Sequence, residues 1–258
     1  MDDIKILSPG QRIRSIRKQL GIKQEELAGD KFSKNYISMF ENNKRKINPI
    51  NATYLADRIN EISKKKEKDI YITASYLLKT ESDMATERCN NLFEDVELKY
   101  DLDTHDRLKK IYLAIEISKK YSLSNYYGRG MYLLGKISLE KNVYHCAITQ
   151  FLEALNHFSM FKQKQSVVEA YKMLGITFYL KKDIESSIIY LNLAESNISE
   201  LSNINRKNDQ REQIAYYRAL CYYAKEEIYN ALLILNEMDS KNEKITTLKN
   251  KIKRKLAS

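Results

Sequence analysis

Residues 24–46 read QEELAGDKFSKNYISMFENNKRK, and their punctuation decides the fold of the N-terminal part. Gln24 to Ala28 fits a short helix with Leu27 and Ala28 turned inward, and Gly29-Asp30 breaks it. Ser33 is placed to cap a further helix, Lys34 to Asn42, which buries Ile37 and Phe40 and points Lys34, Asn35, Ser38 and Met39 outward. Upstream, Ser8-Pro9 is a start signal, because Ser caps and Pro suits the first helical turn; Ile13, Ile16 and Leu20 then share one face before Gly21. Downstream of Pro49, a helix from about Ala52 to Lys64 buries Leu55, Ile59 and Ile62, and Ile70 to Leu78 closes the segment.

The chain of 258 residues is long for one core, so two domains are expected. Apolar residues are 43% and charged residues 30%, which excludes global disorder. The net charge of +10 is unevenly spread: residues 1–68 hold 16 Lys and Arg against 9 Asp and Glu, and the remainder 28 against 25. A basic small domain joined to a nearly balanced large one implies that the first meets a polyanion. The start, MDDIKILSPGQ, lacks the basic and apolar regions of a secretory signal, and no stretch approaches the roughly 18 apolar residues of a membrane span, so a cytoplasmic location is expected. Cys89, Cys146 and Cys221 are odd in number and far apart, and read as reduced core thiols.

Proline occurs only at Pro9 and Pro49, and apolar residues of the last 200 positions recur at three- and four-residue spacing, so the protein reads as all-α. No enzyme or cofactor is expected. His105, His145 and His157 lack metal-ligand spacing, and neither a phosphate-cradling glycine loop nor a nucleophile elbow occurs. A phosphatase would need a Gln or acidic group such as Glu169 or Gln213, and nothing in the sequence singles either out.

Arg17, Gly21, Gln24, Leu27, Ala28, Ser33, Ile37, Ser38, Glu41 and Asn43 occupy the places of the pattern by which the N-terminal segment resembles the Cro and phage-repressor-like (XRE) helix-turn-helix family. The match covers most of residues 8–62. The resemblance implies a helix 3 that enters the major groove, the groove whose donor and acceptor pattern distinguishes all four base pairs. It implies base-edge contact by Lys34, Asn35 and Met39, contact by Gln24 to a phosphate or base, Ser33 at the start of the reading helix, and phosphate contact by Lys44, Arg45 and Lys46. Arg17 and Glu41 match the family's structural ion pair. Two departures stand out: the connection of Gly29-Asp30-Lys31 is one residue short, and Asn43 replaces the usual glycine after helix 3.

The rest of the chain aligns with itself in three units. The first carries Met131, Leu134-Gly135, Ala147, Phe151 and Ala154; the second Tyr171, Leu174-Gly175, Phe178, Leu191 and Ala194; the third Ala219, Tyr222, Ala231 and Leu235. These resemble tetratricopeptide repeats, with the signature Trp and closing Pro absent and spacings of 40 and 44 residues. An α-solenoid follows from the resemblance, with the segments 1–68 (helix-turn-helix), 69–103 (connecting helices) and 104–258 (repeats). A last helix, Lys244 to Leu256, with Ile245, Leu248, Ile252 and Leu256 in a stripe, would cap the repeats or pair with a second copy.

On the family spacing the concave side shows Arg129, Tyr132, Lys136, Lys172, Ile176, Tyr179, Gln213, Tyr216 and Tyr223, a surface suited to an extended peptide, although the tyrosines also suit helix-helix grooves. The order of domains is similar to the RRNPP quorum-sensing regulators of Gram-positive bacteria, dimers whose repeats bind a re-imported signalling peptide. That resemblance implies a homodimeric transcription regulator with operator DNA and a signalling peptide or protein as partners, and no membrane. The alternative is a repeat-based interaction adaptor whose small domain is vestigial or binds DNA non-specifically.

Overall fold

The computed structural model describes residues 4–98, 102–199, 201, 204–238 and 242–257. These form fourteen helices and, among the described residues, no strand. They fall into two compact units, Met1–Asp95 with Glu116–Leu123, and Val96–Ile115 with Ser124–Ser258.

In the N-terminal unit, α1 (Pro9–Gln19) begins with a reciprocal cap: Gln11 N–H donates to Ser8 Oγ, and Ser8 N–H to Gln11 Oε1. Then come α2 (Gln24–Ala28), α3 (Lys34–Glu41), α4 (Pro49–Lys65), α5 (Ala74–Leu78) and α6 (Glu81–Leu98). Helix α4 starts three residues before the expected Ala52, because Asn48 caps it through Asn51 N–H and Pro49 fills the first helical position. Within the closing segment Ile70 to Leu78, helix α5 begins at Ala74. Ser63 accepts from Ile70 N–H and donates to Lys68 C=O, Asn60 makes two bonds to the Ile72 backbone, and these hold the segment as extended chain against α4 until Thr73 caps α5.

One apolar cluster, with Ile13, Leu20, Leu27, Ile37, Phe40, Leu55, Ile59 and Leu77 at its centre, unites α1 to α5. Arg12, 2% exposed, lies at its edge and donates to the carbonyls of Leu7, Tyr76 and Lys79, so a guanidinium satisfies the last turn of α5.

In the second unit, α8 (Ser124–Glu140), α9 (Tyr144–Met160), α10 (Lys164–Leu180), α11 (Ile184–Ile198), α12 (Ile204–Ala224) and α13 (Ile228–Asn236) pack as the hairpins α8/α9, α10/α11 and α12/α13, each against the next. They follow α7 (Thr104–Lys120). The turns at Ser122, Asn142, Lys162 and Lys182 recur every 20 residues, each with its central residue at positive φ. In each, the next N–H returns to a carbonyl five residues back, as from Val143 to Ser138 and from Asp183 to Phe178. Helices of 17 residues joined by three-residue turns make a 40-residue hairpin, so longer helices account for the excess over the tetratricopeptide spacing.

Hairpin closure depends on the two aligned glycines. A Cβ on Gly135 would stand 2.5 Å from Phe151 Cε1, and one on Gly175 2.5 Å from Leu191 Cγ. Helix α14 (Glu243–Ala257) closes the unit, its Ile245, Leu248 and Ile252 buried with Ala219, Ala231 and Leu235 of α12 and α13. Cys89 and Cys221 are buried as expected, whereas Cys146 is exposed: its place on α9 faces away from the hairpin groove that takes Ala147 and Phe151.

Candidate nucleic-acid interface

Helix α3 is held from below by aromatic rings. Phe32 stacks on Tyr36 at 5.1 Å and meets Phe40 and Tyr54 edge-on at 5.8 and 5.2 Å. Ser33 accepts from Tyr36 N–H and caps the helix. With Ile37 and Phe40 fully inward, Lys34, Asn35 and Met39 are exposed on the opposite side, as the periodicity predicts. Lys34 Nζ lies 2.9 Å from Glu25 on α2, an exposed pair that orients the lysine at little energetic gain.

Beneath this face lies a buried ion pair. Arg17 Nε donates to Glu41 Oε1 at 2.5 Å and its Nη2 to Oε2 at 2.9 Å, while Nη1 donates to Ile22 C=O. Glu41 is 2% exposed at its side chain. Burial works against its charge, but hydrogen bonds from Arg17 and Gln24 outweigh it and hold the carboxyl below the usual carboxylate range. Gln24, expected at a phosphate or base, spends its Nε2 on Glu41 at 2.8 Å, which leaves its Oε1 as the atom to offer outward.

Asn43 ends α3 at φ 56, so the left-handed residue expected after the helix is present without glycine. Its side chain also accepts from Gly10 N–H at 3.0 Å and donates to Ser8 Oγ at 2.7 Å, tying the end of α3 to the start of α1. Lys44, Arg45 and Lys46 follow in full exposure, with Arg45 over the Tyr36 ring at 4.3 Å. The short connection before Ser33 is completed by Gly29 at φ 56 and by Lys31, whose ammonium sits over Tyr54. Lys31, Phe32 and the carbonyl-binding Arg58 escape sequence reading, since each acts through a partner on α4 or α2.

In the repeat unit, three of the residues expected on the concave side converge. Lys172, 4% exposed, pairs with Glu169 at 3.0 Å and donates to Gln213 Oε1 at 3.0 Å, and Tyr132 Oη donates to Glu169. Burial and the Glu169 charge push the Tyr132 hydroxyl pKa upward. Gln210 completes the group by donating to Glu169, and its own Oε1 is buried without a donor. Glu169 is therefore the hub, and only its partners on α8 and α12 identify it.

The other expected residues lie apart from this group. Arg129 pairs with Glu97; Lys136 is half-buried and Ile176 buried; Tyr179 packs edge-on against Tyr217. Tyr216 and Tyr223 pack on the cluster that receives α14.

The arrangement of α1 to α4 is that of a helix-turn-helix domain, with a short brace, a capped and exposed second element, and cations after it. Residues 13–63 match the helix-turn-helix family model. No curated protein matches the chain. Among solved structures, the chain is similar to that of Bacillus thuringiensis PlcR, described in complex with the peptide PapR7 and DNA, at 14% identity and a TM-score of 0.39, with 97% of each chain covered.

No helix of the described residues is long and apolar enough to cross a membrane.

Proposed function

We propose that the chain is a cytoplasmic, sequence-specific DNA-binding transcription regulator that acts as a homodimer, and that it has no catalytic role. Residues 1–68 read the operator, residues 69–103 connect, and the repeats of residues 104–258 receive a signalling peptide. The observation that carries the reading is helix α3 itself: a rigid aromatic and ion-paired base presents Lys34, Asn35 and Met39 outward, and Lys44 to Lys46 follow at once. Base edges would be read by the first group and phosphates met by the second, with Ser33 at the helix start and the remaining Gln24 oxygen beside them.

Protection mapping on the DNA flanking the protein's own gene tests this. The wild type should leave a two-fold-related footprint with half-sites about 10 base pairs apart or a multiple of that, and Lys34→Ala with Asn35→Ala should erase it. A wild type that protects no site overturns the proposal in favour of an interaction adaptor, and a double variant that protects the same site removes Lys34 and Asn35 from base reading.

For the peptide, the support is the Glu169 group. Tyr132 on α8, Glu169 and Lys172 on α10 and Gln210 on α12 bring donors and acceptors together on three successive first helices, and a peptide backbone that enters there would meet the Gln210 oxygen that has no donor.

A further inference from the structure

The charge of the C-terminal part is not spread as its nearly even balance suggests. Helix α14 carries six cations, Lys244, Lys249, Lys251, Lys253, Arg254 and Lys255, against the single acid Glu243. The other residues of 69–258 hold 22 Lys and Arg against 24 Asp and Glu, so α14 alone makes this part basic. Elsewhere in the repeat unit some cations meet carboxylates: Arg107 with Glu140, Arg211 with Glu195, Lys225 with Glu185 and Glu227. Among the described residues none of Lys249, Lys251, Lys253 and Arg254 has an acidic partner, and Lys251 lies over the Tyr223 ring instead.

We propose that α14 is a second, sequence-independent contact surface for the phosphate backbone of duplex DNA, separate from the helix-turn-helix. Its apolar stripe is already spent: Ile245, Leu248 and Ile252 are 3%, 6% and 0% exposed against α12 and α13. A basic amphipathic helix enters a bilayer surface with a broad apolar face, and here only Leu256, 37% exposed, remains of that face. What remains outward is a fixed array of cations over about 8 Å of helix axis, from Lys249 to Arg254. Duplex DNA presents one charge per roughly 1.7 Å of its axis, so such an array can neutralise several phosphates without reading a base. Nothing in this surface depends on the reading of α3.

The test uses the full-length protein and a 30-base-pair duplex of scrambled sequence, with affinity measured against salt. Lys249→Gln, Lys251→Gln, Lys253→Gln and Arg254→Gln together should lower the log–log slope by about 2 to 4 units, since each lost phosphate contact removes about 0.9. The all-Arg version of the three lysines should keep the wild-type slope. Combining the four Gln changes with Lys34→Ala and Asn35→Ala should lower the slope further than the α3 changes alone, which separates this surface from operator reading: a missing footprint with a falling slope leaves the α14 proposal standing. Should the fourfold variant lose its helical circular dichroism, Lys253→Gln alone, at an exposed site, should lower the slope by about 0.9. An unchanged slope overturns the proposal. So does binding to phosphatidylserine vesicles that the Gln changes abolish while the duplex slope stays the same.

Discussion

Glu41 concentrates the physics of the helix-turn-helix unit in one side chain. It accepts from Arg17 twice and from Gln24 once, in a place almost closed to water. Removing one partner of such a pair leaves the other buried and uncompensated, so Glu41→Ala should destabilise the domain by about 3–5 kcal/mol, read as a lower urea midpoint. The pH dependence has a definite sign. The folded carboxyl titrates below its unfolded value of about 4.3, so the folded state binds fewer protons there. The stability it contributes is complete above that unfolded value and is lost as pH falls through the lower folded one. Urea midpoints at pH 7 and pH 3 should differ more for the wild type than for Glu41→Gln, and equal differences would remove Glu41 from the acid response.

At the scale of helices, the meeting of α1 and α3 turns on Gly10. A Cβ there would stand 2.0 Å from Phe40 C=O and 2.7 Å from Asn43 Oδ1, and backbone cannot yield as a side-chain tip can. Gly10→Ala should therefore cost about 1–3 kcal/mol in thermal or urea unfolding despite the better helix propensity of alanine. A neutral or stabilising result would mean the two helices have room to separate. Asn43→Ala should cost stability too, because it loses both the left-handed tolerance and the bonds to Ser8 and Gly10.

These same elements show what could be read in advance. The ends of α1 to α3 were legible because Ser8, Pro9, Gly29 and Ser33 act on their immediate neighbours. The outward set Lys34, Asn35 and Met39 followed from helical period alone. The starts of α4 and α5 were not legible from apolar spacing, since Asn48, and Asn60 bonded twelve residues away to Ile72, decide them. Arg12, Glu169 and Gln210 stayed hidden for the same reason at longer range: their partners lie on other helices, and a single chain carries no mark of that pairing. The left-handed turns at Lys162 and Lys182 were equally silent, because neither uses the glycine or asparagine that would announce them.

For the whole molecule, the proposed regulation requires two ligands to act on one equilibrium. If a peptide changes operator affinity by some factor, the operator must change peptide affinity by the same factor, whatever the structural route. The probe is a synthetic heptapeptide selected from a random pool by binding to the full chain. It should shift operator affinity by about 5- to 150-fold, and saturating operator should shift its own affinity equally. Glu169→Gln keeps the shape but removes the charge that pairs with Lys172, so it should weaken the peptide by about 10- to 150-fold, the worth of a hydrogen bond to a charged group. Factors of one in both directions would show that peptide and operator do not share an equilibrium. An unaltered peptide affinity in Glu169→Gln would place the peptide elsewhere on the repeats and leave the Glu169 group as a structural tie between α8, α10 and α12.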